Sequence, residues 1–231
     1  MTPLSVPHIS RTSRQTEVAA LFDVDNTLLP GQASEVRFFR FLWKRGLVGW
    51  RELRDSVGCV LRCAPPISLH PLRERKLYLA GKAAVEVESL AEEFCRAELV
   101  PRLSAQGLYR MDEHRRAGHH IVLVTGSLDF LMAPLAALLE VPTLLAARLE
   151  RQHHRFTGHV CEPLPYGPGK RELIVQLIQD SRIDLAQSFA YGDSPGDVEL
   201  LQMVGHPVVV NPIRGMGRIA RRNGWPVATW T

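Results

Sequence analysis

The sequence predicts an α/β protein, a doubly wound parallel sheet with an inserted all-helical cap. Three observations carry that prediction. Short continuous apolar runs end in acids, hydroxyls or glycine, as strands buried on both faces do. Helical patterns alternate with the later runs. About 100 residues separate the first run from the second, far more than the ~30 of a βαβ unit.

The first run is Val18 to Val24, closed by Asp23 and Asp25. Helices fill the long interval after it. Val36, Phe39 and Trp43 share one helical face, which Gly46 stops. Trp50, Leu53, Val57 and Leu61 make a second face, stopped by Pro65-Pro66. Leu72 to Ala80 and Val87 to Val100 give two more, parted near Gly81 and ended by Pro101. Such a set of helices is expected to pack on itself. The expected division is a polar tail at 1–17, a core at 18–32 and 103–231, and a helical cap at 33–102 that sits over the acids. Leu108 to Arg116 is then the sheet's own crossover helix.

The second run, Ile121 to Val124, leads into Thr125-Gly126-Ser127. That segment is expected to end a strand and open the helix Leu128 to Leu139, with Ser127 a candidate N-cap. Pro142 to Leu149 is a candidate strand, and Arg155 to Val160 its expected partner in a hairpin. Tyr166-Gly-Pro-Gly169 is a loop that delivers Lys170 to the helix Arg171 to Gln179. Ser188 to Tyr191 is a third run, followed by Gly192-Asp193 and the helix Asp197 to Met203. Pro207 to Val210, closed by Asn211-Pro212, is the last.

Composition narrows the function classes. The 231 residues carry a net charge of +4, 45% hydrophobic and 23% charged, which suffices for a real core. No apolar run reaches the ~18 residues of a membrane span, and Met1 to Gln15 lacks the apolar stretch of a secretory signal. Cys59, Cys63, Cys95 and Cys161 form no C-x-x-C pair and read as thiols of a reducing cytoplasm. The positive charge is mostly arginine. Its densest cluster, Arg214, Arg218, Arg221 and Arg222, lacks interleaved aromatics, so neither a nucleic-acid nor a membrane partner is expected. The paired histidines His119-His120 and His153-His154 lack the spacing of a helical metal pair and read as surface residues.

Four pieces gather at predicted strand ends: Asp23-Val24-Asp25-Asn26-Thr27, Thr125-Gly126-Ser127, Lys170, and Gly192-Asp193-Ser194-Pro195-Gly196-Asp197. Each alone has an ordinary reading, such as a solvated acidic turn or a surface lysine. Together they do not. Asp23 and Asp25 are two apart on an extended segment, so both face one side. Adjacent carboxylates repel unless a cation or proton lies between them. Acids at two strand ends make a hard oxygen site suited to Mg²⁺, while a hydroxyl, backbone N–H groups and a lysine receive a phosphoryl group. Such a set performs phosphoryl transfer by positioning and electrostatic stabilisation.

With D-x-D-x-T, a hydroxyl-Gly after the second strand, a distant lysine and G-D-x-x-x-D in this order, the chain resembles the haloacid dehalogenase-like superfamily of phosphohydrolases, over about residues 18–215. A helical cap between the first two motifs is similar to subclass IB, the phosphoserine-phosphatase-like group. The resemblance implies a Rossmann-like sheet and a Mg²⁺-dependent phosphomonoesterase acting on a small phosphorylated metabolite. It implies Asp23 as nucleophile, forming an aspartyl-phosphate, and Asp25 as general acid and then base. Metal ligands would be Asp23, Asp193 and the backbone carbonyl of Asp25, with Asp197 supporting. Thr125, Gly126 and Lys170 would hold the phosphoryl group.

Phosphoserine phosphatases of this group carry a glutamate seven residues after the second aspartate, to bind the substrate ammonium; here that position is Gln32. Glu35, one turn on, is a candidate substitute. They also carry L-R-x-R-x-x-x-L, whose second arginine grips the substrate carboxylate. Leu72-Arg73-Glu74-Arg75-Lys76-Leu77-Tyr78-Leu79 looks similar and makes Arg75 the match. Other members that look similar act as histidinol-phosphatases, so the substrate stays open between these and others. A phosphotransferase or mutase using the same aspartyl-phosphate is the alternative. A signalling receiver lacks this D-x-D, this cap and the late Asp193/Asp197 pair, and a non-catalytic binding protein would have no need of all these groups together.

Overall fold

The computed structural model describes residues 16–62 and 73–231. The tail to residue 15, Cys63, Pro65-Pro66, Leu72 and the side chains of Cys59 and Leu61 lie outside the described residues. Six parallel strands run in the order β3-β2-β1-β6-β7-β8. They are β1 (Ala19–Phe22), β2 (His120–Leu128), β3 (Thr143–Ala147), β6 (Phe189–Gly192), β7 (His206–Val210) and β8 (Val227–Ala228). The chain winds outward from β1 to β3, then returns to β1's other side with β6. The carboxyl ends of β1 and β6 therefore flank the point where the winding reverses, where such sheets bind ligands.

Strand periodicity builds the two layers. Ala20 and Phe22 face one side of β1, Ala19 and Leu21 the other. The first face is covered by helices α5 (Ala105–Arg116) and α6 (Asp129–Leu138), through Met111, Leu131, Met132 and Leu135. The second is covered by α7 (Pro168–Asp180), α8 (Val198–Gln202) and α9 (Met216–Asn223), through Ile174, Leu200, Leu201, Met216 and Ala220. All four residues of β1 are buried, which is why its sequence is continuously apolar. Burying one such side chain contributes roughly 1.5–3 kcal/mol.

The segment between β1 and α5 holds α1 (Ser34–Lys44), α2 (Trp50–Arg62), a 3₁₀ turn at Leu77–Leu79, and the short helices α3 (Ala84–Glu88) and α4 (Ala91–Phe94). A π turn (Cys95–Leu99) and a 3₁₀ turn (Val100–Arg102) follow, so Pro101 lies within the last turn rather than after a helix. Two expectations need correction. The helix expected to Ala80 gives way by Arg75, which bridges to His159 of β5 (Arg155–Val160), and the Lys76 N–H donates to Gly158 O at 2.6 Å. The segment also does not pack only on itself. Phe38, Phe41, Val87, Phe94 and Leu99 join one apolar cluster with Phe22, Leu123 and Leu131 of the sheet layer. Helices of four or five residues present too little apolar surface to close a core of their own, so they complete theirs against α6. On the outer helix, Trp50 (76% exposed) and Val57 (49%) stay open to solvent, although Trp50 meets the Trp43 ring edge-on.

β4 (Leu149–Gln152) and β5 form an antiparallel hairpin, but the partner expected for Arg155 to Val160, Pro142 to Leu149, contributes only Leu149 to it, because Thr143–Ala147 pairs with β2 in the main sheet. The expected strand Pro142 to Leu149 divides between β3 and β4 at Arg148. Among the described residues no helix is long and apolar enough to cross a membrane.

Candidate active site

Asp23 leaves β1 still tied to the sheet, its N–H donating to Tyr191 O at 2.9 Å. The chain then turns at Asn26, whose φ of 60° is one that asparagine tolerates. Asn26 Nδ2 donates to Asp193 Oδ2 at 2.9 Å and to Asn211 O at 3.0 Å, and Asn211 Nδ2 returns to Asn26 O at 2.9 Å. Two asparagines thus clamp the loop after β1 to the ends of β6 and β7.

Asp25 turns the other way. Its Oδ1 accepts the Ser34 N–H at 2.7 Å, and its Oδ2 accepts both Ser127 Oγ at 2.7 Å and Ser34 Oγ at 3.1 Å. β2 does not end at Val124 but runs to Leu128, so Ser127 is no helix cap. Thr125 pairs with Ala146 and Leu128 with Ala147, a bulge that pushes Gly126 and Ser127 out of the ladder. The bulge delivers Ser127 to Asp25 and leaves Thr125 Oγ1 accepting the Ser127 N–H at 3.1 Å.

Lys170 lies in the first turn of α7, buried. Its Nζ donates to Asp23 Oδ1 and Asp197 Oδ1, both at 2.6 Å, and to Val124 O at 3.1 Å. Burial disfavours its ammonium, but the carboxylates of Asp197 and Asp23 outweigh that and hold its pKa above the ordinary value. Asp197 Oδ2 accepts from Asp193 N, Ser194 N and Ser194 Oγ, at 3.0–3.1 Å. This approach requires glycine at 192, where a Cβ would fall 2.5 Å from the Asp197 Cβ.

One oxygen from each of Asp23, Asp193 and Asp197 lies within 4.8 Å of the others. Burial raises the Asp23 pKa, against Lys170, and the charges of Asp197 and Asp193 add to the rise. Burial likewise pushes Asp193 up to about 6, opposed by the Asn26 hydrogen bond. Crowded, buried carboxylates of this kind are the donor set a hard divalent cation fits. The Asp25 carboxylate is bonded instead to the two serines, and Asp25 lines the same cavity as this group.

The cavity above these groups holds about 400 Å³. Thr125, Gly126 and Lys170 line it, as expected from the sequence. Of the expected cap residues only Glu35 does. Its Oε2 accepts from Lys76 Nζ at 2.7 Å, while its buried Oε1 has no hydrogen-bond partner among the described residues. Burial raises the Glu35 pKa, against Lys76. Gln32 is turned away, its Oε1 accepting from Arg40 at 2.7 Å, and Arg75 is exposed off the cavity. Arg73 lines it instead, its guanidinium 3.5 Å from the centre of the Tyr166 ring. Tyr166 in turn fills the space beside Gly196, where a Cβ would meet its ring at 2.2 Å. Arg214, named from sequence only as part of an arginine cluster, also reaches the cavity wall. Local patterning carries no signal for Ser34, Asn211 or Arg73, which are brought in by tertiary contacts.

Residues 20–202 match the family described as haloacid dehalogenase-like hydrolase. A histidinol-phosphatase of Neisseria meningitidis serogroup C (strain 8013) is 29% identical over 90% of this chain and 96% of its own. A phosphoserine phosphatase of Mycobacterium tuberculosis (strain H37Rv) is 28% identical over 90% of this chain and 70% of its own. A solved structure of a protein of unknown function from Bordetella pertussis Tohama I is 31% identical, with a TM-score of 0.79 over 93% of this chain and 99% of that one. With the parallel sheet, the strand-end acids and the matched span together, the chain belongs to the haloacid dehalogenase-like hydrolase family, as an enzyme of its phosphoserine-phosphatase-like kind.

Proposed function

We propose that this chain is a Mg²⁺-dependent phosphomonoester hydrolase that acts on a small phosphorylated metabolite through an aspartyl-phosphate. The observation that carries the reading is Lys170 Nζ, 2.6 Å from both Asp23 and Asp197 and buried with them. A fixed ammonium beside a buried carboxylate is a receiver for phosphoryl charge. Asp23 attacks phosphorus with a carboxylate oxygen, and that O–P bond forms as the ester O–P bond breaks. The electron pair passes to the leaving alcohol oxygen, which takes a proton from Asp25. Water then attacks phosphorus and gives its proton to Asp25. The bond to Asp23 breaks, and inorganic phosphate leaves. Thr125 Oγ1 and the Gly126 N–H bind phosphoryl oxygens, and Lys170 neutralises the charge gathering on them. Asp23 and Asp193 would hold the metal, with Asp197 supporting and the Asp25 carbonyl as the family resemblance implies. When bound there, Mg²⁺ supplies charge neutralisation at the phosphoryl oxygens.

The two named relatives support a substrate of phosphoserine or histidinol-phosphate type. Lys76, Arg73 and Glu35 on the cavity wall support recognition of a polar, charged leaving group. Cys95 and Cys161, both free thiols, are compatible with the reducing cytoplasm as the working compartment. The test is phosphate release from a set of phosphorylated metabolites, phosphoserine and histidinol phosphate among them, with Mg²⁺ and with chelator. Release should require the metal and vanish in Asp23→Asn. An inert chain, or an Asp23→Asn variant as active as the parent, defeats the reading.

A further inference from the structure

The second aspartate is held by more than its own loop. Three donors converge on it from two distant parts of the chain. Ser34 is the first residue of α1, and Ser127 lies in the bulge of β2. Both are buried, with Ser34 fully so and Ser127 at 2% exposure. Their hydroxyl oxygens are 2.6 Å apart, and each also reaches Asp25 Oδ2. The Ser34 N–H takes the other carboxylate oxygen at 2.7 Å. A carboxyl group with donors on both oxygens has its plane and its rotation fixed.

We infer that Ser34 and Ser127 are positioning residues for the proton-transfer step, aiming the Asp25 carboxyl at the leaving oxygen. The inference rests on the proposed phosphatase reading, in which Asp25 serves as acid. Without the hydroxyls the carboxyl can turn about its Cβ–Cγ bond, and a misaimed acid loses transition-state stabilisation while substrate still binds. The arrangement also ties the acid to the cap. Ser34 begins the first cap helix, so any displacement of α1 releases two of the three donors at once. The bulge in β2 then has a reason: a straight strand would carry position 127 past Asp25.

Leaving groups separate orientation from general damage. An alkyl phosphate needs a proton on its departing oxygen, whereas 2,4-dinitrophenyl phosphate departs without one. kcat/KM covers steps up to ester cleavage, so it reports the acid and excludes the later attack of water. For Ser127→Ala and Ser34→Ala, kcat/KM on an alkyl phosphate should fall on the order of 10- to 100-fold, part of the 10²–10⁴ such acids contribute. On 2,4-dinitrophenyl phosphate it should change by less than ~3-fold. Ser127→Thr, which keeps the hydroxyl, should recover most of the loss. Because the two residues form one network, the double variant should lose far less than the product of the single losses. Equal losses on both substrates, or no loss on either, overturn the inference while the phosphatase reading stands. A parent enzyme that releases no phosphate from either substrate overturns both. Ser127→Thr also answers a folding objection: if it melts as the parent does and is no better than Ser127→Ala, position 127 acts by packing and the inference fails.

Discussion

The two walls of the cavity are built differently. On the sheet side, Asp197, Lys170 and Asp193 have their places fixed by neighbours close to the backbone. Asp197 takes three donors with one oxygen, Lys170 gives three bonds, and Asp193 is clamped by Asn26. On the cap side, Arg73 and Lys76 sit just before the 3₁₀ turn Leu77–Leu79 and Glu35 on α1, and the buried Glu35 Oε1 has no hydrogen-bond partner among the described residues. A wall whose groups are held by the scaffold suits a reaction that does not vary. A wall with an acceptor unmet suits a ligand that supplies the missing donor, since leaving such an atom unpaired costs about 1–3 kcal/mol. The difference implies that substitutions on the sheet side strike turnover and those on the cap side strike selectivity.

The largest expected effect tests the sheet wall through its backbone. In Gly192→Ala the new methyl would lie 2.5 Å from the Asp197 Cβ and 2.7 Å from its Cγ, so Asp197 must move and Lys170 loses an anchor. Turnover should fall ~100-fold or more, because a misplacement of 1 Å costs about that much, and overpacking should cost about 1–3 kcal/mol of stability. Steady-state kinetics beside urea unfolding check it. Parent-like turnover would break the claim that this wall tolerates no shift.

The same contrast governs what the sequence reveals. Sheet-side groups are legible because the strand alternation that buries β1 and β6 also sets where each strand ends, and the acids follow at once. Lys170 is legible only as a motif member, since 147 residues separate it from Asp23. The cap wall is legible only at Glu35. Arg73 and Arg75 share one short segment, and which of them enters the cavity depends on the bridge from Arg75 to His159 of the hairpin. Val87, Ala91, Phe94 and Leu99 keep helical spacing across what is in fact a chain of α, π and 3₁₀ turns. Asn26 with Asn211 lies 185 residues apart and Ser34 with Ser127 lies 93 apart, beyond any local pattern. β8 has only two residues, too few for periodicity to show.

A smaller effect tests the cap wall. Glu35→Gln keeps the shape but removes the charge opposite Lys76, which is itself buried. KM for a substrate carrying an ammonium or ring N–H should rise ~10-fold, the size of one charge-assisted hydrogen bond lost. kcat should stay within ~2-fold, the sign of binding lost equally from ground and transition states. Competition between an amine-bearing and an amine-free phosphate ester measures the ratio directly. If both esters lose kcat together, the two walls do not divide the work in this way.

The smallest effect separates either wall from the scaffold beneath. His114 on α5 is 5% exposed, with Nε2 2.7 Å from Tyr191 Oη and Nδ1 2.8 Å from His119 Nδ1. Burial, then His119 and Arg110, lowers its pKa to about 4, from 6.5 when free. Above about pH 6.5 the ring is neutral in both folded and unfolded chains, so it has no effect on stability there. As pH falls from 6.5 towards 4 the unfolded chain takes up a proton that the folded chain refuses, and stability declines. His119, lowered by its own burial, acts with the same sign. The decline should reach on the order of 1 kcal/mol by pH 5, allowing for solvent screening near the surface. Urea unfolding at pH 7.5, 6 and 5 should give a shallower acid slope for His114→Gln than for the parent, and parallel slopes would exclude His114 as the cause. Since Tyr191 also accepts the Asp23 N–H on its carbonyl, acid weakens the strand that carries the catalytic loop. Acid-side loss of activity therefore has to be read per folded molecule before any of it is credited to the carboxylates.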